Sequence, residues 1–444
     1  MRISRTVKAI ATLAALFACP LFGASLQERI DAAEADAELL LPAGEYQGPI
    51  LIEKPLTLRG ELGAKLIGNG DSSVLTINAN NVTIVSLHIS RSGRSLEKDH
   101  SAIFVQGNGV FLKGNTIEQS LHGIYLKEAQ NCRIEDNVIR GQTTKRVPID
   151  DPIAKGLEAE ADGLCTIRID ANQRGNGIHL WNATGNVLKN NTISDTRDGI
   201  YFSFSHETRV TGNTIRNVRY GLHYMYSDYN TFENNRFEQN AAGAAIMYSE
   251  GLLVRNNTFT NNAGYRAYGV LVQSVDKTAF IGNTISRNTV GLYLENSNDN
   301  TLRSNQFQRN YVGVRLSSSS AKNTFTENGF QGNLHPVESD ELSSSNRWAA
   351  NGRGNRWPSS QPVDLDGDGA GELPHRQADL LGPHRRDFPM IGLLSESPFL
   401  KLLSFVHARA SLPGVPAIED PAPLVDIARN PPAARTENLV SDVQ

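Results

Sequence analysis

The chain is poor in the residues that build sulfur chemistry, with three cysteines and four methionines in 444 residues. So few cysteines leave room for one disulfide in a mature chain. A basic excess is also missing: 43 basic against 47 acidic residues give a net charge of −4. Nothing in that balance suggests the clustered positive face of a nucleic-acid binder, so no nucleic-acid partner is expected. No Asp-Pro-His-Asp run appears. Aromatics at 7% and charged residues at 20% are ordinary for a folded chain.

The N-terminal apolar run, Ala9 to Phe22, holds about 14 residues. It is short for a transmembrane helix, which needs roughly 20. Arg2, Arg5 and Lys8 precede it, and Gly23, Ala24 and Ser25 follow. Residues 1–24 therefore read as an export signal. Leu16-Phe17-Ala18-Cys19 matches a lipoprotein cleavage site poorly because of Phe17. Loss of the signal leaves Cys132 and Cys165. An oxidising compartment permits them to pair; two buried free thiols are the alternative.

What is abundant is repetition. Asn, any residue, then Ile or Phe recurs at Asn115, Asn137, Asn191, Asn213, Asn235, Asn257, Asn283 and Asn305, spaced 22, 54, 22, 22, 22, 26 and 22 residues apart. A second series, Gly123, Gly177, Gly199, Gly221, Gly243, Gly269, Gly291 and Gly313, follows the same steps. The 54 is one unit of 22 with a 32-residue insertion, residues 143–174, and the 26 carries four extra residues. Within a unit, Ile200 and Phe202 share one face, as strand alternation requires. A unit of this size cannot bury its own apolar face, but stacked units can.

The pattern predicts an all-β chain: a right-handed parallel β-helix of 22-residue coils over residues 25–333. Eleven or twelve coils would form a rod of about 55 Å. Stacked asparagines would hydrogen-bond along the axis, and the glycines would serve as turn devices. Leu26 to Glu38 reads as a helix capping the N-terminal end. Leu56–Gly60 and Val74–Ile77 read as the first coils. Residues 334–444 lack the period. They divide into an Asp-rich region (334–390), an apolar helix region (391–412) and a Pro/Ala-rich tail (413–444).

Four constellations carry chemistry. His206, Asp228, Glu250 and Asp276 fall one coil apart, so they form either an acid/base column for a sugar-acting enzyme or a solvated turn. Met225 and Met247 stack one coil apart, with His223 two residues before Met225 on the same face. Imidazole with thioether suits copper, above all Cu(I). His179 and Tyr201 share the phase of His223. Asp364, Asp366 and Asp368 with Gly369, followed by Glu372, imitate a calcium loop, although His375 stands where an EF-hand needs Glu. Ser397 and Pro398 start a helix in which Phe399, Leu402, Leu403 and Val406 form an apolar stripe. That helix either caps the open C-terminal end or docks a membrane partner.

Asn355-Arg356-Trp357, then Asp364-Leu365-Asp366-Gly367-Asp368-Gly369-Ala370-Gly371-Glu372, then Pro374, close the coils. With Arg386-Asp387-Phe388-Pro389 and the apolar tail, this block resembles the NosD family of periplasmic maturation proteins for nitrous oxide reductase. His375 stands where that family commonly has an aromatic. The resemblance covers nearly the whole mature chain. It implies a non-catalytic periplasmic component that works with an ATPase and an ABC-transporter membrane subunit. Its further implied partners are nitrous oxide reductase and a copper chaperone. The competing class is a carbohydrate-binding or polysaccharide-modifying β-helix.

Overall fold

The computed structural model describes residues 24–141, 146–148, 166–168, 174–264, 267–339, 345–358, 360, 362–378, 381, 388–394, 397–409 and 417–425. Residues 1–23 of the expected export signal, and Cys165, lie outside them.

Three parallel sheets of twelve strands each wind into one solenoid of twelve coils. Apolar side chains of all three sheets meet inside it. Phe202, Phe232, Phe237, Phe259, Phe280 and Phe307 are at most 1% exposed. The registers confirm the repeat. Arg133 pairs with Val187 across the long insertion, and Leu253 pairs with Ala279 across the shorter one. Within the long insertion, Arg146–Pro148 and Thr166–Arg168 pair as antiparallel strands.

The asparagine column is a continuous buried ladder. Asn213 Oδ1 accepts from Asn191 N at 2.8 Å and from Asn191 Nδ2 at 2.9 Å. The same pair of bonds links Asn235 to Asn257, both at 2.9 Å. Each Nδ2 also reaches a carbonyl of the preceding coil, as Asn213 Nδ2 does to Leu188 O at 2.9 Å. A second ladder runs through Asn240, Asn262, Asn288, Asn310 and Asn333.

Several sequence expectations need correction. The repeat glycines are not turn devices. A Cβ on Gly199 would sit 2.3 Å from Ile215 Cγ2 and 2.6 Å from Gly221 O, so glycine here permits close approach of successive coils. The N-terminal helix is Leu26–Ala32, closed by a Ser25/Glu28 capping box. Glu38 already belongs to the first strand, Ala37–Leu41. One coil therefore precedes Leu56, and it lacks the asparagine signature because the ladder starts later. At the other end the solenoid runs past residue 333. His335–Ser339 adds the last strand of the third sheet. Asn346 and Asn355 add rungs below Asn323 and Asn328.

Candidate functional site

The third sheet turns a column of rings outward: Tyr125, His179, Tyr201 and His223, each in register with the next. His179 and Tyr201 have ring centroids 4.4 Å apart, and Tyr201 and His223 4.8 Å. His122 packs edge-on at 5.5 Å from His179. One step along the same face, Met225 pairs with Met247, and both are half-buried. The strand alternation that placed His223 and Met225 together therefore holds in space, with Met247 beside them. Phe204, Tyr226 and Tyr248 form a stack next to them and are 44–48% exposed.

Asp198 escaped the sequence reading. It is 1% exposed and begins a strand whose register partner is Tyr220. A carboxylate one residue before a repeat glycine was the signal that marked it. Arg219 grips it with Nε at 2.9 Å and with Nη2 at 2.6 Å. His223 Nδ1 lies 2.9 Å from Asp198 Oδ2. Burial opposes the Asp198 charge, but the bonds from His223 and Arg219 outweigh it and hold the carboxyl below its usual range. A carboxylate can only accept, so His223 Nδ1 carries a proton. In neutral His223, Nε2 then keeps its lone pair, the arrangement that orients metal-binding histidines.

The other two histidines differ. Asn176 N donates to His122 Nδ1 at 3.0 Å, and Asn176 Nδ2 lies 3.3 Å from His179 Nδ1. Burial, then Arg197, brings His122 down to about 4. Burial, then His122, holds His179 well below its ordinary value. Both stay neutral in a half-closed apolar setting.

The column His206, Asp228, Glu250 and Asp276 is a turn device. Asp228 N donates to His206 Nδ1 at 3.0 Å, Glu250 N to Asp228 Oδ1 at 2.8 Å, and Asn298 N to Asp276 Oδ1 at 2.7 Å. Glu250 instead accepts from Tyr229 and Lys277. These groups hold the next coil or their neighbours.

At the C-terminal end, Asp364, Asp366 and Glu372 bring carboxylate oxygens within 4.8 Å of one another. Among the described residues no other three His, Cys, Asp or Glu side chains converge so closely. Asp368 stays apart from that group, accepting from Ala370 N at 2.7 Å. The apolar helix is Pro398–Arg409, with Ser397 Oγ accepting from Leu400 N at 3.3 Å. Phe399, Leu402 and Val406 are exposed at 68%, 59% and 40%, and Leu403 is half-buried. The helix does not plug the solenoid. Trp348, Trp357, Ile418 and Leu424 close that end, each at most 5% exposed. Cys132 is a free thiol in the core, pushed by burial up to about 11.

The fold and its outward histidine-methionine face define a right-handed parallel β-helix protein. A family model described as "Right handed beta helix region" matches residues 57–151. A second, described as "Periplasmic copper-binding protein (NosD)", matches residues 160–362. The "Probable ABC transporter binding protein NosD" of Pseudomonas aeruginosa is 31% identical over 409 residues, 88% of this chain and 89% of that protein. The protein of the same description from Stutzerimonas stutzeri is 29% identical, across 91% of this chain and 88% of its own. The chain belongs to the NosD family.

Two solved structures share the fold. One is the A-module of mannuronan C-5 epimerase AlgE6 from Azotobacter vinelandii: 12% identity, TM-score 0.51, 73% of this chain and 93% of that one. The other is a tailspike protein of E. coli bacteriophage HK620, also at 12% identity and TM-score 0.51, covering 70% of this chain and 63% of that one. At that identity the likeness is one of fold alone.

Proposed function

We propose that this chain is a non-catalytic periplasmic component of an ABC-type complex that supports copper-centre assembly in nitrous oxide reductase. It serves as a rigid platform on which the copper chaperone and the reductase dock. The observation that carries this reading is the apolar helix Pro398–Arg409, left open on solvent at the end of a rod that other residues have already closed. Among the described residues no helix is long and apolar enough to cross a membrane. An exposed apolar stripe on a 12-residue helix suits docking against a membrane subunit rather than spanning the bilayer. The name printed for the two relatives, an ABC transporter binding protein, supports the same reading.

Two metal assignments accompany it. His223, Met225 and Met247 make a transient Cu(I) contact on the outer face, and the Asp198 bond supports that role for His223. Asp364, Asp366 and Glu372 hold Ca²⁺, with Asp368 stabilising the loop. A Cys132–Cys165 disulfide would tie the core to a residue outside those described. The polysaccharide-modifying alternative is weakened because the carboxylates it would use hold backbone or neighbouring side chains.

The test is copper loading and activity of nitrous oxide reductase in cells lacking this protein, with and without the wild-type chain restored. Reductase deficient in catalytic copper until restoration supports the reading. Fully loaded, active reductase without the chain refutes it.

A further inference from the structure

The asparagine ladder needs an acceptor at its last rung. Every upstream rung donates its N–H and one Nδ2 proton to the next Oδ1; Asn328 does so to Asn355 at 3.1 and 2.9 Å. Asn355 has no further asparagine below it. Its acceptor comes from 65 residues along the chain: Asp420 Oδ2 takes Asn355 N at 2.6 Å and Asn355 Nδ2 at 3.3 Å. The same oxygen takes Trp357 Nε1–H at 2.7 Å, and Oδ1 takes Ala422 N–H at 3.1 Å. All four partners are donors, so only an acceptor satisfies them. A neutral amide could still accept the three bonds at Oδ2 through its own oxygen, so the donors lose their acceptor only when both oxygens are removed.

Two neighbours are shaped for this carboxylate. A Cβ on Gly354 would fall 1.8 Å from Asp420 Oδ1. His375, opposite Asp420 in the antiparallel pair, stacks on Trp357 at 4.6 Å, and Trp357 stacks on Phe330 at 4.7 Å. The strands His375–Ala378 and Ala417–Asp420 are the two ends of the excursion that carries the apolar helix, and the helix packs on the first of them.

We infer that Asp420 is a positioning residue: its carboxylate clasps the hairpin to the last rung of the asparagine ladder and so fixes how the apolar helix leaves the rod. The clasp stands on its own geometry, and its role in assembly rests on the docking reading above. The experiment uses the full chain with Asp420→Ala. Amide exchange at residues 355–357 and 417–422 is expected to accelerate at least about tenfold, because buried donors lose their acceptor. Exchange at residues 213–283 stays as in the wild type. Co-purification with the ABC-type membrane subunit is expected to fall at least about tenfold.

Gly354→Ala displaces the same carboxylate by another route and should reproduce both effects. Unchanged exchange at residues 355–357 in Asp420→Ala overturns the clasp. Faster exchange with undiminished co-purification overturns the positioning role. The double variant Leu402→Asp, Leu403→Asp separates the two readings, since it leaves the ladder end untouched. Its retained co-purification would sink the docking function while the exchange test of the clasp stands.

Discussion

Acid should loosen the coils around His122 and the C-terminal hairpin at His375 before the rest of the rod, and His122 sets the size of the effect in the first of these. Its imidazole is 4% exposed and is brought from 6.5 down to about 4. The folded state therefore resists a proton that the unfolded chain accepts readily. Stability from this group is fully present above pH 6.5 and declines as the pH falls from 6.5 toward 4, where the folded form begins to protonate. A shift of that size corresponds to about 3 kcal/mol, at about 1.4 kcal/mol per pKa unit. His179 works in the same direction. Asp198 does not blur the window, because its folded pKa is below 3.8 and its contribution is lost only as the pH falls through that lower value. The assay is amide exchange of the strands His122–Lys127 and Ile178–Trp181 between pH 7.5 and 4.5, corrected for intrinsic rates. Protection there should drop by most of that amount. His122→Asn keeps an acceptor for the Asn176 N–H and should flatten the dependence. Wild-type protection that holds constant to pH 4.5, or a variant that loses as much as the wild type, would refute the reasoning.

Asn257→Ala removes the acceptor for Asn235 N and Nδ2 and the donor to Phe232 O, all buried. It should cost about 3–9 kcal/mol in urea unfolding, from about 1–3 kcal/mol for each of these unsatisfied groups; a loss below about 1 kcal/mol would contradict the ladder's role. Asp366→Ala should abolish any rise in melting temperature produced by Ca²⁺, measured by calorimetry with and without chelator, and an identical Ca²⁺ response in both proteins would reject the ion site. For copper, His223→Ala should weaken Cu(I) binding at least about tenfold in competition with a chromophoric chelator, with Met225→Leu and Met247→Leu each weakening it several-fold. Equal affinities across the set would remove copper from this face.

Much of the fold was legible because the repeat is enforced at each coil by the same buried bonds. A rung such as Asn213 needs an amide above and below, so its spacing survives insertions, and the 54-residue gap could be resolved before any coordinates. The first coil was missed for the same reason. Ala37–Leu41, Gly44–Gln47 and Ile50–Ile52 precede the ladder and carry no asparagine signature. The glycines misled because sequence shows a missing Cβ but not why it is missing. At Gly199 the cause is a carbonyl one coil away, not a turn. Of the site, the alternation of His223 with Met225 and the stacking of Met247 followed from period and phase. Asp198 did not, because its bond to His223 crosses between coils, 25 residues apart and out of phase. Asp420 lay beyond any periodic argument, since nothing local ties it to Asn355.

In a solenoid, a polar column is therefore weak evidence of chemistry until its hydrogen bonds are assigned. Asp228 and Asp276 each direct an oxygen along the axis to the next coil's N–H. Asp198 does this too, accepting from Tyr220 N at 3.3 Å. It differs in what it does besides: Arg219 balances its charge, and Oδ2 turns to His223 on the outer face. Bonds to backbone build the rod, whereas side-chain pairs such as Asp198–His223 orient groups on its outer face. By that criterion the outer face of the third sheet around His223 is one place where the solenoid presents oriented chemistry. The C-terminal end, where Asp420 holds the hairpin that carries the apolar helix, is the other. Between Asn115 and Asn355 the ladder runs through these coils as one unbroken series of buried bonds.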